Sequence, residues 1–273
     1  MNRSNSLFTA TALLFCTCGV SVRAVSEADA AAGRSLVKRY ADTVVGVELV
    51  VTLKVKYGDR EAPPREQRIE VNGTVISASG LTVTSLAAVD LQATMEGMRG
   101  GGSGGRGAEI VGSDFKEVKL RLADGREVPA RFVLKDADLD LAFMAPEPSA
   151  ENAPREFPFV KLEEATDGAV LGTYFYVGRA PKTLQRVPLV RATEIVGIVL
   201  KPRRMYLLAD QAAGTPIFNA QGRVLGITLQ HYASGQRSGY VVLPAEDIAE
   251  MAKQAAAAQA KMPAGAPQPA KPD

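Results

Sequence analysis

Residues 210–227 are DQAAGTPIFNAQGRVLGI, and their order of turn, strand, turn and strand guides the interpretation of the whole chain. The small residues Ala-Ala-Gly-Thr lead into an apolar run at 215–219, and Asn-Ala-Gln-Gly separates it from a second run at 224–229. Two runs of strand length around a turn signal are typical of an antiparallel hairpin. The stretch therefore predicts β-structure with a compact turn before the first strand.

Short strands of the same kind recur along the chain, separated by turn signals such as Ser79-Gly80 and Asp124-Gly125. Residues 146–158 are proline-rich and lack an apolar period, so they connect two halves. This spacing favours antiparallel β-structure over βαβ units. The predicted strands are 44–55, 68–77, 81–85, 117–122, 128–134 and 141–144 in the first half, and 169–177, 186–200, 205–209, 215–219, 224–229 and 239–243 in the second.

Helices are predicted only near the ends of this β-rich body. Ser26 and Glu27 precede an alanine-rich stretch that can form a short helix. Pro244 stands before AEDIAEMAKQAAAAQAK, which has good helix formers throughout. The alanine- and proline-rich residues 262–273 predict a disordered tail.

The first 24 residues have the layout of a secretory signal peptide. Arg3 precedes an apolar run at 7–20, which is too short to span a bilayer comfortably, and Ala24 closes the segment. We expect export to a bacterial periplasm or to the extracellular space, without a membrane span after cleavage. Cys16 and Cys18 both lie inside this segment, so the mature chain would have no disulfide or thiol nucleophile. Lipid attachment at either cysteine is the alternative, but Phe15 and Thr17 before them fit it poorly.

Charge and residue usage argue against several classes of function. The chain has 32 basic and 30 acidic residues, and removal of the first 24 would leave 30 of each, which gives no reason to expect a nucleic-acid partner. With one histidine, His231, and no ligand cluster, neither a metal nor another cofactor is expected. The glycine-rich residues 98–107 lack the lysine and the following helix of a phosphate-binding loop, so they predict a flexible surface loop.

Four segments, taken in order, resemble the trypsin-like serine peptidases, particularly the HtrA/Deg branch. They are GLTVTSLAAVD at 80–90, KDADLDLAFM at 135–144, AAGTPIFNAQGRVLGI at 212–227 and SGYVVLPAEDI at 238–248. The resemblance implies an all-β fold of two six-stranded antiparallel barrels over residues 36–250, about 36–146 and 158–250, with a C-terminal helix. No PDZ domain is expected to follow. An unrelated β-sandwich or barrel is the alternative.

The resemblance also implies that the catalytic triad is degenerate. On this alignment Ala87 occupies the histidine position, Asp140 the aspartate position and Ala213 the serine position. Two members of the triad are therefore alanine, and Gln211 stands where the family has a glycine near the oxyanion site. Without a histidine to orient, Asp140 could instead serve only as an acceptor of backbone hydrogen bonds at the end of a strand.

Other residues could in principle supply a displaced catalytic pair. Ser85 lies two residues before Ala87, while Ser234 and Ser238 lie near His231 in the sequence. We favour an exposed loop histidine at 231 over a relocated base.

We therefore predict an exported, catalytically inactive homologue of the trypsin-like peptidases. Its expected role is to bind a protein or an extended peptide in the cleft between the barrels, or to act as a scaffold. An active secreted endopeptidase with a displaced nucleophile is the first alternative. A purely structural envelope protein, in which the tail and the glycine-rich loop matter most, is the second.

Overall fold

The computed structural model describes residues 26–58, 60–90, 108–209, 212–233 and 236–263. Several predictions lie outside these residues: the signal peptide at 1–24, the glycine-rich loop at 98–107, Gln211, Ser234 and most of the predicted tail. These predictions, and the segment limits that depend on them, remain predictions.

The first half of the chain forms a closed barrel of six antiparallel strands. Around the barrel the order is β1-β3-β4-β7-β6-β5, and β5 returns to pair with β1. The two-residue strand β2 only extends the outer end of β1. Alternate residues of β1, including Val47, Leu49 and Val51, fill the interior, as expected of a strand with one buried face. The strands are β1 (Val44–Tyr57), β2 (Arg60–Glu61), β3 (Arg65–Val75), β4 (Thr82–Ser85), β5 (Ala108–Arg121), β6 (Glu127–Asp136) and β7 (Leu141–Pro146).

The second half forms another closed six-stranded barrel, with the order β10-β13-β12-β11-β8-β9. Ile195, Tyr206 and Leu225 are among the residues that fill its interior. The architecture of two six-stranded antiparallel barrels is thus confirmed. The strands are β8 (Thr173–Arg179), β9 (Pro188–Val199), β10 (Met205–Leu208), β11 (Pro216–Phe218), β12 (Val224–Ala233) and β13 (Gln236–Pro244).

A third apolar cluster joins the two barrels. It combines Val83 and Phe143 of the first barrel with Val177, Phe218 and Ile227 of the second, all of them buried. Burial of large apolar side chains is the main favourable term in such packing. The seam between the barrels is therefore a core of its own, and the candidate site lies along it.

Both terminal helices pack against the two barrels. In α1 (Glu27–Tyr40) the helix begins with a cap from Ser26, whose Oγ accepts the Asp29 amide over 3.0 Å. At the other end of α1, Tyr40 stacks on Phe218 with ring centroids 4.2 Å apart and donates its hydroxyl proton to the Gly222 carbonyl over 2.9 Å. α1 thus precedes the first barrel in sequence but packs on the second.

The C-terminal helix α3 (Ala245–Ala260) runs from the second barrel toward the first, and the predicted C-terminal helix is confirmed. The side chain of Gln259 donates to the Ser79 carbonyl of the first barrel over 3.1 Å. A short helix, α2 (Leu86–Val89), follows β4. Among the described residues, no helix is both long and apolar enough to cross a membrane.

Three strand limits differ from the sequence prediction by four residues or more. β5 begins at Ala108 rather than 117, because residues 108–115 pair with the outer half of β1, from Tyr57 back to Val51. β8 begins at Thr173 rather than 169, since residues 169–172 form a turn. β12 continues to Ala233, which pairs with Gln236 of β13, so the outer end of β12 is a hydrogen-bonded strand rather than a loop.

Candidate functional site

Asp140 occupies the turn between β6 and β7, where its backbone adopts a left-handed conformation with φ of 56°. Its carbonyl oxygen accepts a hydrogen bond from the Leu86 amide over 2.9 Å, at the first residue of α2. Non-glycine residues adopt this conformation at a cost, and tertiary contacts must hold them there. The backbone of Asp140 therefore ties the β6–β7 turn to the start of α2.

The Asp140 carboxylate is held by groups from the β4–α2 segment. Its Oδ1 accepts the Ala87 amide over 2.6 Å, and its Oδ2 accepts the hydroxyl of Ser85. Ser85 Oγ in turn accepts the Gln230 amide of β12 over 3.2 Å. The predicted histidine and aspartate positions are thus in direct contact, and the Ser85 hydroxyl links that pair to the second barrel.

Burial dominates the ionisation of Asp140. It raises the pKa of the carboxyl from 3.8 to about 7, because the charged form loses its hydration. Hydrogen bonds from Ser85, Ala87 and Gln230 act in the opposite direction, toward a lower pKa, without cancelling the effect of burial. Asp140 is therefore a half-buried acid whose pKa lies near neutrality.

Ala213 lies in the turn that leads into β11 and is half-buried. The next residue, Gly214, has φ of 73°, and its amide donates to the Thr228 carbonyl of β12 over 2.7 Å. Its own carbonyl accepts the Thr74 hydroxyl of β3 over 2.8 Å. The turn that carries the predicted serine position is therefore fixed against the first barrel.

Only glycine fits at position 214. A Cβ atom there would lie 1.9 Å from the carbonyl oxygen of Asn72 and 2.6 Å from Oγ1 of Thr84. Thr84 Oγ1 also donates to the Asn72 carbonyl over 2.7 Å, so these neighbours cannot easily move aside. The close approach of two backbones at this point explains why the turn needs Gly214.

Strand β12 contacts both the turn that contains Ala213 and the Ser85 hydroxyl that is bonded to Asp140. Thr228 contacts the turn through the Gly214 amide, and Gln230, two residues later, contacts Ser85. The backbone groups of residues two apart in a strand point to the same edge. Ala87, Asp140 and Ala213 are thus all arranged along one strand at the seam between the barrels. Side chains 87 and 213 are methyl groups, which can neither attack a carbonyl nor move a proton.

The displaced residues considered from the sequence are placed differently. Ser85 is fully buried, with its hydroxyl engaged between Asp140 and Gln230. His231 is not a loop residue as predicted: it lies within β12 opposite Gly239 and is half-buried, because the β12–β13 hairpin extends past it. Ser238 lies in β13. No group of three or more possible metal ligands occurs within the described parts of the chain.

Sequence reasoning missed the contacts that organise this site. Gln230 is 145 residues from Ser85, and Thr74 is 140 residues from Gly214. Neither pair leaves a local pattern, because each depends on how the two barrels meet. The available signal was the order of the four family-like segments, which predicts the positions but not the polar contacts around them.

Comparison with known proteins gave two similarities. No curated protein sequence matches the chain significantly. The crystal structure of the MamO protease domain from Magnetospirillum magneticum in its apo form is similar, with 18% sequence identity, coverage of 78% of this chain and 97% of that chain, and a TM-score of 0.47. The family model described as the trypsin-like peptidase domain matches residues 71–227. That range begins in β3, includes Ala87, Asp140 and Ala213, and ends in β12.

Proposed function

We propose, from the premise that this chain belongs to the family of trypsin-like peptidase domains, that it is an exported member without peptidase activity. We further propose that it binds an extended segment of a protein in the cleft between its barrels. One observation carries the proposal: the Asp140 carboxylate is engaged by Ser85 and the Ala87 amide, while positions 87 and 213 carry only methyl groups.

Loss of activity follows from the chemistry that these positions would have to perform. A serine peptidase needs a hydroxyl nucleophile and an imidazole that takes and returns its proton. Removal of either costs on the order of a million-fold in turnover in a well-studied case. Ala87 and Ala213 lack both groups. An acid such as Asp140 acts in this chemistry only through the imidazole that it orients, so by itself it gives no turnover.

Peptide binding is supported by the parts of the frame that remain. Gly214 keeps the turn before β11 in close contact with the first barrel. This close contact is retained although the preceding residue, Ala213, carries no nucleophilic group. In this proposal the extended peptide adds as a strand along the surface of the seam between the barrels. Ala213 is half-buried and Ala87 is buried, and each methyl group occupies less volume than the family's serine or histidine would.

The alternative of a displaced nucleophile centres on Ser85. Its hydroxyl is bonded to a carboxyl whose pKa is about 7, so a base near neutral pH lies beside it. However, the Ser85 side chain is completely inaccessible to solvent. A nucleophile must reach the carbonyl carbon that it attacks, so this burial argues against the alternative.

Export is the remaining part of the proposal and rests on the N-terminal sequence. Expression of the full chain in a bacterium, followed by cell fractionation and N-terminal sequencing, tests it. We expect a product that begins after Ala24 in the periplasmic or secreted fraction. A cytoplasmic product that retains Met1 would contradict export without affecting the binding proposal.

Titration with labelled peptides from a denatured protein tests the binding proposal. Binding should raise the fluorescence anisotropy of the peptide, and Ala213→Phe should abolish it, since the ring would fill the cleft. Ala220→Phe is the matched control, because Ala220 is exposed in the turn between β11 and β12 and should leave binding unchanged. Absence of binding by the unmodified protein, or equal binding by both variants, would reject the proposal.

A further inference from the structure

One end of the second barrel presents large aliphatic side chains to solvent. Val170 is 52% exposed, Leu171 is 72% exposed and Leu200 is 70% exposed. Val196 and Leu207 lie beside them on β9 and β10 and are also exposed. Single exposed apolar residues are ordinary, but several on neighbouring turns call for an explanation.

Two turns carry the most exposed of these side chains. Residues 169–172 form a β-turn in which the Gly172 amide donates to the Ala169 carbonyl over 3.0 Å. The other turn, residues 200–204, joins β9 to β10. Arg204 in the second turn pairs with Asp167, just before the first, at 2.6 Å. This ion pair shows that the two turns are neighbours at one end of the barrel.

Leucine at position 171 is unfavourable for the stability of the fold for two separate reasons. Its φ of 62° puts it in the left-handed region, at the third position of a turn where glycine or asparagine is normally required. Its apolar side chain is also largely exposed to water. Glycine at 171 would relieve both costs. Strained residues that persist in a fold are candidates for function, and here the strained turn exposes a leucine side chain to solvent.

Basic residues accompany the aliphatic ones. The second turn contains Lys201, Arg203 and Arg204, all exposed. Arg204 is neutralised by Asp167 and is also influenced by Glu246. Within the described residues, Lys201 and Arg203 form no ion pair with a carboxylate. The surface therefore combines projecting aliphatic side chains with positive charge that is not paired among the described residues.

We propose that this aliphatic–basic surface, made of Val170, Leu171, Leu200, Lys201 and Arg203, docks the protein onto a bilayer that contains anionic phospholipid. A bilayer offers hydrocarbon directly beneath negatively charged phosphate groups. Leucine and valine on projecting turns would enter the hydrocarbon, while lysine and arginine would meet the phosphates.

Charge also argues against a second copy of the chain as the occupant. In a two-fold symmetric contact the same surface faces itself, so Lys201 and Arg203 of one copy would approach those of the other. Like charges in contact are unfavourable, particularly when they are desolvated. An anionic bilayer instead supplies the complementary charge.

Vesicle flotation tests the proposal, using the chain isolated from its host with the same N-terminus in every variant. The unmodified protein should float with vesicles of phosphatidylglycerol and phosphatidylcholine, and much less with phosphatidylcholine alone. Leu171→Gly should weaken binding by about tenfold or more, while the urea midpoint stays equal or rises because the turn is relieved. Replacing Lys201 and Arg203 by Gln should weaken binding by about tenfold and reduce its salt dependence.

Leu184→Ser is the matched control. Leu184 is 61% exposed, comparable with Leu171, but lies in the connection between β8 and β9 at the opposite end of those strands. This variant should bind vesicles as the unmodified protein does. The proposal is overturned if the unmodified protein does not float, if Leu171→Gly floats equally well, or if sedimentation shows a dimer that Leu171→Gly dissociates.

Discussion

The backbone amide of Ala87 donates a hydrogen bond to Oδ1 of Asp140 over 2.6 Å, although 53 residues separate the two. This contact places the predicted histidine position against the predicted aspartate position without any imidazole between them. Ser85 engages the other carboxylate oxygen. The acid is therefore part of the packing between α2 and the β6–β7 turn, and its ionisation affects the stability of the fold.

Asp140→Asn is expected to remove a pH dependence of stability. Burial raises the pKa of Asp140 in the folded protein to about 7, against 3.8 for an ordinary aspartate, so the folded state keeps a proton that the unfolded chain has released. The resulting stabilisation is complete below the unfolded pKa and is lost as the pH rises through about 7. Urea unfolding of the unmodified protein should therefore show a loss of about 3 kcal/mol between about pH 5 and about pH 8 that the variant lacks.

Asp138→Asn provides the control for that experiment, because Asp138 is exposed in the same turn region. It should reproduce the pH profile of the unmodified protein. The quantity to compare is the change in unfolding free energy with pH, not its absolute value. An amide beside Ser85 lowers the stability of Asp140→Asn by the same amount at every pH, so it does not affect this change. An unchanged slope in Asp140→Asn would refute the assignment of the transition to Asp140.

Gly214→Ala should destabilise the seam between the barrels severely. The new methyl group would lie 1.9 Å from the Asn72 carbonyl oxygen, and the backbone would also keep its unfavourable φ of 73°. We expect a loss of at least about 3 kcal/mol in the free energy of unfolding. Gly125→Ala is the matched control, since Gly125 has φ of 86° with nothing within 4 Å of the added Cβ, and it should cost only about 1 kcal/mol.

Arg179→Lys tests the polar connection between the barrels. The Arg179 side chain is 7% exposed; its Nε donates to the Val44 carbonyl over 2.7 Å, and one terminal nitrogen donates to the Ala41 carbonyl over 2.8 Å. Lysine cannot reproduce this forked geometry, so a loss of about 2 kcal/mol is expected in urea unfolding. The exposed Arg155→Lys should change stability little. Equal stability of both variants would show that Arg179 does not join the barrels.

Much of the fold could be predicted because local patterns and tertiary structure agree. Valine- and threonine-rich runs such as 44–55 became strands, and the Asp124-Gly125 turn lies between β5 and β6 as the hairpin signal indicated. The outer half of β5 was missed because Ile110 and Phe115, which both pack on the core, do not follow a two-residue period. Two register shifts against β1 interrupt that period. Propensity could not reveal that pairing.

The sequence proposed the candidate site as a set of positions and could not predict the contacts around them. The order of the family-like segments singled out Ala87, Asp140 and Ala213. His231 was misjudged because Gln230 and Tyr232 gave no sign that β12 continued past Leu229. Leu171 was placed inside a predicted strand, since its sequence gives no hint of a left-handed turn. Both errors concern residues whose conformation is imposed by neighbouring strands.

The central claim is that this peptidase frame performs no acyl-transfer chemistry. Incubation of the purified protein with a fluorophosphonate that reacts with activated serines, read out by intact mass and peptide mapping, tests it most directly. An active trypsin-like peptidase treated in parallel confirms that the reagent works. We predict no adduct on any serine, including Ser85. A stoichiometric adduct on Ser85, Ser234 or Ser238 would contradict the account and establish a displaced nucleophile.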